Sequence, residues 1–423
     1  MTVKFLLKLA WHHFLDFRID VETFLSRANY ANILAEFSLK RNPPYKILFM
    51  VSNTCKWKLQ ALYDLLKRDS IFEPTIVLVR QDTECGLTGE RLRMHFNECR
   101  QFFDRRKMTC VCAYDFKRKK DIPFKRFHPD IVFYQTPWSI PSVQSPYKVS
   151  KYALTCYVPY YVSTNSQCER GIQEPLHRLL FRHYLFNQFE CDFLSWNSTK
   201  FNYSGTVEAV GHPTLDQIRQ GVQSYTGPQD LVIYAPHWSL SDPRTLNDLR
   251  FSTFLENGRQ ILDYAKQHPE IKWAFKPHPT LRGTLAAVMS QDEIDDYYSS
   301  WEKIGEACYT GDYVSLFARS RALITDCDSF LAEYGCTGKP IVHLISKGFE
   351  RKKFLLFSDL FENFYQVRTN DELWPIFKMV VEEGKDPKLN SRRMALEKCE
   401  LNNHDSSANR IYQSILKMVN GHQ

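Results

Sequence analysis

ITDCDSFLAEYGCTGKPIVHL, residues 324–344, decides the fold. The apolar, β-branched run RALITD (321–326) predicts a buried strand, and KPIVHL (339–344) predicts a second. Between them Phe330, Leu331 and Tyr334 fall along one helical face. Strand, helix, strand is the repeating unit of a parallel sheet with helical crossovers. The turn DCDS then opens a helix, where unpaired backbone N–H groups and the positive end of the helix dipole favour an anion. Two readings of that turn stand side by side. In one it holds a pyrophosphate, with Ser329 the easier contact through its hydroxyl and N–H, because Asp328 repels a phosphate directly beside it. In the other Asp326 or Asp328 caps the helix, for about 1 kcal/mol, and binds nothing. Glu333, one helical turn on, either accepts hydrogen bonds from two ribose hydroxyls or is a plain helix-surface residue.

Upstream the same alternation recurs. After the helix-breaking KRNPP, strands are predicted at 45–51, 75–79, 108–114, 130–135 and 153–160, with two short ones in CDFLSWN (191–197) and TVEAVGHPTLD (206–216). Helices are predicted at 57–69, about 87–105 and 174–189. GVQSYTGPQD (221–230) reads as a linker, and the alternation restarts with LVIYAP (231–236), a helix over roughly 247–268 and IKWAFKPHP (271–279). The expected organisation is a helical segment over 1–42, a Rossmann-like domain over 43–222, a second over 228–370, and C-terminal helices over 371–423, one of which can cross back to brace the first domain. In such sheets ligands sit beyond the carboxyl ends of the strands.

Those strand ends carry the candidate chemistry. FKPHP (275–279) puts Lys276 and His278 at the end of a strand held extended by prolines, with Arg282 close behind. A histidine there can protonate a leaving phosphate or donate to its oxygen; a solvated proline-bounded loop is the plainer alternative. YAPHW (234–238) has the same form and sets His237 and Trp238 on the same rim.

The whole chain bounds these readings. Its 423 residues, 43% hydrophobic, suffice for two cores of ordinary size. A formal charge of +7 suits an anionic ligand or membrane face but is too thinly spread to indicate nucleic acid. The 12 cysteines are scattered without a C-x-x-C pair and without paired Cys/His ligand spacing, which points to reduced thiols in a cytoplasmic setting, no metal and no cofactor. No run reaches the roughly 20 apolar residues of a spanning helix. Leu7, Trp11, Phe14, Phe17 and Val21 recur at helical spacing, so the N-terminal helix either covers a core or lies on a membrane surface. KRKKDIPFKR (117–126) is either a solvated loop or a patch for anionic lipid or a polyanionic acceptor.

VIYAPHW, FKPHP, LITDCDSFLAEYGCTGKPIV and, near the C-terminus, HDSSANRIYQSIL together resemble the ordered motifs of the CDP-glycerol glycerophosphotransferase family, the polymerases and primases of teichoic acid and related capsule polymers. The resemblance covers about residues 205–420. It implies a GT-B-like fold of two Rossmann-like domains with parallel sheets facing a central cleft. It also implies a CDP-glycerol donor in the second domain and transfer of glycerol phosphate to a polymer or lipid-linked acceptor at the cytoplasmic membrane face. Carried over, His278 is the catalytic contact to the donor phosphates, with His237, Lys276, Arg282, Thr325, Asp326, Asp328 and Ser329 around the donor and Glu333 on its ribose. The family's turn reads T-D-Y-S-S where this chain has T-D-C-D-S. Its H-G-T-P-x-K motif has no counterpart; YVPYYVSTN (157–165) stands at the comparable strand end, offering Tyr160, Ser163 and Asn165 to an acceptor. DSFLAE also resembles the D-S-G-G-x-x-E turn of UDP-N-acetylglucosamine 2-epimerases. Glycosyl transfer from a nucleotide-diphosphate sugar is therefore the alternative reaction, and a non-catalytic nucleotide-binding partner subunit the second alternative.

Overall fold

The computed structural model describes residues 3–39, 43–80, 87–162, 175–201, 205–245, 250–309, 313–347, 358–399 and 406–421. The chain divides into two compact units: unit 1 holds residues 1–161, 168–213 and 405–423, and unit 2 holds 162–167 and 214–404. The division falls at Pro213/Thr214, one helix before the glycine-rich stretch at 221–230.

Unit 1 is built on β1 (Tyr45–Val51), β2 (Phe72–Leu78), β3 (Cys110–Cys112), a small antiparallel hairpin β4 (Tyr114–Asp115) and β5 (Lys120–Asp121), then β6 (Ile131–Tyr134), β7 (Leu154–Tyr157), β8 (Arg182–Leu185) and β9 (Thr206–Ala209). Among the described residues seven of these form one parallel sheet in the order β3-β2-β1-β6-β7-β8-β9. Its central strands are buried on both faces, as a sheet covered on both sides requires. Helices Gln60–Arg68, Gly89–Arg105 and Ser407–Val419 lay Leu62, Leu66, Phe96, Phe103, Ile411 and Ile415 against the β1 face that carries Phe49. The last of these helices thus belongs to unit 1 although more than 190 residues separate it from β9.

The N-terminal helix, Val3–Leu39, covers unit 1 with a face other than the one its first half advertises. Thr23, Ser26, Tyr30, Ile33 and Phe37 are buried, and the Tyr30 hydroxyl donates to the Leu179 carbonyl at 2.6 Å. Phe17 is 67% and Phe24 72% exposed. The side chains of Leu7, Trp11 and Phe14 lie outside the described residues.

Residues 174–201 correct the sequence reading. The helix expected over 174–189 is a short helix Pro175–Leu179 followed by β8, and the strand expected in CDFLSWN lies within helix Gln188–Phe201. Cys191 and Leu194, three apart, pack on Val207 and Ala209 of β9, a helical spacing. The second short run is β9 followed by helix Pro213–Ser224.

Unit 2 carries β10 (Leu231–Ala235), β11 (Lys272–Phe275), β12 (Glu306–Ala307), β13 (Ser320–Thr325), β14 (Ile341–Leu344) and β15 (Tyr365–Val367). Among the described residues they form a six-stranded parallel sheet in the order β12-β11-β10-β13-β14-β15. This is the 3-2-1-4-5-6 order of a doubly wound sheet, in which the winding reverses between the first and fourth strands. Helices Phe254–Gln267 and Gln291–Ile304 bury Ile261, Ile294, Tyr297 and Trp301 against Tyr234, Trp273 and Phe275.

Candidate functional site

Because the sheet of unit 2 reverses between β10 and β13, the chain leaves these neighbouring strands in opposite lateral directions and opens a crevice at their carboxyl ends. Thr325, the last residue of β13, pairs with Ala235, the last of β10. Its hydroxyl donates to the Ala235 carbonyl at 2.6 Å and accepts from the Cys327 N–H at 2.9 Å. Thr325 is fully buried and both functions of its hydroxyl are spent in holding the two strand ends together.

Asp326 is the post on which the next loop hangs. One carboxylate oxygen accepts from the His237 N–H at 2.6 Å; the other accepts from the Thr253 N–H at 2.6 Å and its hydroxyl at 3.0 Å. Burial pushes its carboxyl up to about 6 against the pull of those donors. Sequence reasoning gave Asp326 either to a ligand or to a helix cap. The cap is overturned: the N-cap of helix Asp328–Gly335 is Cys327, which makes no side-chain capping bond, and the Asp326 oxygens are turned to the β10 loop.

His237 and His278 are brought together, ring centroids 5.2 Å apart, at the ends of adjacent strands β10 and β11. The His237 Nδ1 lies 2.7 Å from the Ser239 hydroxyl and accepts from the Ser239 N–H at 3.2 Å. The His278 Nδ1 is met by Thr280 in the same way, at 2.7 and 3.3 Å. Burial holds both rings neutral, His278 down to about 4 with Lys276 adding to the effect. Trp238 packs on both rings.

Lys276 is 6% exposed, with its ammonium 5.9 Å from the Tyr313 ring and 5.8 Å from Phe330. Ser329 and Asp328 occupy the first turn of helix Asp328–Gly335 and are half-buried. Glu333 is buried rather than on the helix surface, and accepts a short hydrogen bond from the Tyr313 hydroxyl. The Arg282 guanidinium is engaged with Asp295 at 2.6 Å and stacks on Tyr298 at 5.0 Å. Lys339, in the Gly-Lys-Pro before β14, donates its ammonium to the carbonyls of Phe317, Ala318 and Ser320 at 2.7, 2.9 and 2.7 Å and so caps helix Val314–Arg319.

In unit 1 the β7 end places Tyr160 beside Trp138 and Tyr161, with the Lys56 ammonium 5.4 Å from its ring. Ser163 and Asn165 lie outside the described residues. Four residues of the unit 2 site escaped sequence reasoning: Ser239, Thr253, Thr280 and Tyr313. The signal for Ser239 and Thr280 was present, since both histidines stand in a Pro-His-x-Ser/Thr frame. Nothing local marks Thr253 or Tyr313.

No protein-family model matches this chain, and none of the curated proteins does. Solved structures do. A UDP-N-acetylglucosamine 2-epimerase matches with a TM-score of 0.56 at 13% identity, over 89% of this chain and 96% of its own. The UDP-GlcNAc 2-epimerase from Neisseria meningitidis, bound to UDP-GlcNAc, matches at 0.52 and 14%, over 88% and 100%. The wall teichoic acid polymerase TagF matches at 0.53 and 11%, over 96% and 98%. The likeness to teichoic acid polymerases that the motifs suggest is met at the level of fold: the chain has the GT-B-like α/β fold that these structures share.

Proposed function

We propose that unit 2 binds a nucleotide-activated donor at the carboxyl edge of its sheet. We propose further that the chain transfers glycerol phosphate, or a similar alditol phosphate, from a CDP-activated donor to an acceptor hydroxyl in cell-surface polymer synthesis. One observation carries this reading: His237, His278 and the turn 325–329 meet at the reversal point of one doubly wound sheet. It is supported by the fold held in common with a wall teichoic acid polymerase.

In this reading Ser329 and the first-turn N–H groups take the diphosphate, Lys276 supplies positive charge, Glu333 faces the ribose, and Thr325 and Asp326 act as positioning residues. His278 donates its N–H to the phosphoryl group as charge gathers there. The acceptor oxygen bonds to the β-phosphorus while the bridging P–O bond breaks. CMP leaves with that bond's electrons, and the acceptor's proton passes to solvent. Tyr160, Ser163 and Asn165 are the proposed acceptor-side contacts.

A second reading, glycosyl transfer from a nucleotide-diphosphate sugar, is favoured by Asp328 in the turn and by the fold shared with an epimerase bound to UDP-GlcNAc. Chromatography of the nucleotide product separates the two. CMP from CDP-glycerol supports the phosphotransfer; a nucleoside diphosphate from a nucleotide sugar overturns it in favour of the second. Binding without turnover of either donor points to a non-catalytic partner subunit. Peripheral attachment to a cytoplasmic membrane face belongs to the same proposal, through the exposed Lys117, Arg118, Lys119 and Lys120. Flotation with anionic vesicles checks it.

A further inference from the structure

His237 and His278 sit in one repeated frame, Pro-His-x-Ser/Thr, at residues 236–239 and 277–280. In each, the N–H two residues on points at Nδ1, and an N–H can only donate, so Nδ1 is the acceptor and the ring proton sits on Nε2. The Ser239 hydroxyl accepts from the Phe251 N–H at 3.1 Å, which turns its own proton toward the His237 ring. Among the described residues the Nε2 of neither ring has a protein partner. His237 is only 7% exposed, yet its Nε2 is not among the polar atoms shut off from solvent. The one unspent polar atom of a nearly buried ring is therefore the one left accessible, and the same atom is unspent on the ring beside it. Two unspent ring donors, on rings whose centroids lie 5.2 Å apart, are close enough for one ligand group to take both.

We propose that His237 and His278 form one clamp, each giving its Nε2–H to a separate oxygen of the same phosphoryl group of the ligand. The inference rests on the donor-binding reading above and adds to it the chemistry recognised at this point and a second binding residue, His237. Adjacent oxygens of one tetrahedral phosphoryl group can each take one ring N–H, and a hydrogen bond to an anionic oxygen is about twice as strong as one between neutral groups. Two neutral donors serve better than two imidazolium ions here. A charged pair at this distance repels itself and also faces Lys276 beside His278. On the other side the Asp326 carboxylate is taken up by the His237 backbone N–H and by Thr253. Ser239 and Thr280 are positioning residues: they fix which nitrogen carries the proton.

The test is calorimetric titration of the intact chain with CDP and, separately, UDP. His237→Asn keeps an acceptor for Ser239 but has no Nε2–H; His237→Gln carries an amide N–H near the lost position. His237→Asn and His278→Asn are each expected to weaken the nucleotide about tenfold or more, with His237→Gln recovering much of the loss. The double variant is expected to lose less than the product of the two single losses, because one clamp is broken once. Nitrogen-15 spectra of the wild-type histidines, which need no variant to fold, are expected to show both Nε2–H signals shifting on addition of the nucleotide and both Nδ1 remaining unprotonated. If the wild type binds CDP or UDP and His278→Asn weakens it, while His237→Asn leaves it unchanged and only one Nε2–H signal moves, the clamp is wrong and the donor reading stands. If neither nucleotide binds the wild type, both fall together.

Discussion

Asp326 ties the loop after β10 to the end of β13 through both of its carboxylate oxygens. Its side chain lies at the turn where a phosphate is expected, but both oxygens are consumed by three donors from the loops after β10. Asn in its place can accept at only one oxygen and turns its amide hydrogens toward N–H or O–H donors. Asp326→Asn is expected to cost about 2 kcal/mol at pH 7, read by urea unfolding. The pH dependence has a definite sign. With its carboxyl pushed up to about 6, the folded chain holds a proton that the unfolded chain has released between about pH 4 and 6. Asp326 therefore adds stability as the pH falls through 6 toward 4, and the cost of Asp326→Asn grows over the same interval.

At the scale of elements, the strands with a run of β-branched residues were legible, and so was the turn at 325–329, because local pattern alone dictates both. Residues 174–201 were not. β8 consists of Arg182, His183, Tyr184 and Leu185, all buried, and a strand with two charged or titratable residues inside reads poorly as a core strand. Its burial is permitted by distant partners: Arg182 reaches Glu208 at 2.7 Å and Ser414 at 2.8 Å, and the Tyr184 hydroxyl donates to Ser414 at 3.0 Å, while His183 has a nearer one in His177 at 2.8 Å. Satisfaction of that kind cannot be seen in a window of ten residues. The site was legible at His237 and His278, where proline fixes the strand end, and illegible at Thr253 and Tyr313, which reach it from other elements.

The buried His177–His183 pair makes the stability of unit 1 depend on pH. Burial lowers both rings, His177 to about 3 and His183 well below its ordinary range. Below about pH 6.5 the unfolded chain takes up protons that the folded pair refuses, so stability falls as the pH drops from about 6.5 toward 3. A His177→Gln/His183→Gln double variant is expected to flatten this slope, measured as urea midpoints at about pH 7, 6 and 5. Lys339 supplies the counterpart in unit 2. Lys339→Met leaves the three carbonyls at the end of helix Val314–Arg319 without their donor. The expected loss is about 2 kcal/mol with helix Asp328–Gly335 intact, checked by hydrogen exchange over 314–320 against 328–335.

For the molecule as a whole, the two units differ in charge. Unit 1 contains 32 Lys and Arg against 21 Asp and Glu, and unit 2 contains 23 against 27. The excess that gives the chain its +7 lies entirely in unit 1, so the thin charge read from composition hides an uneven one. Chain order and unit membership also diverge. Helix Ser407–Val419 buries Ile411 and Ile415 in unit 1, and Ile411→Ala is expected to cost about 3 kcal/mol there. Hydrogen exchange then shows protection lost over β1 and β2, with β10 and β13 of unit 2 unchanged; the opposite pattern counts against the assignment of this helix.

At the reversal point of the unit 2 sheet the proposed ligand is a nucleotide diphosphate. Crystals of the chain soaked in turn with CDP and with UDP decide whether it is held there. The diphosphate of at least one of them is expected within hydrogen-bond reach of the His278 Nε2 and the first turn of helix Asp328–Gly335. Both nucleotides bound elsewhere, or neither bound at saturating concentration, overturns the assignment.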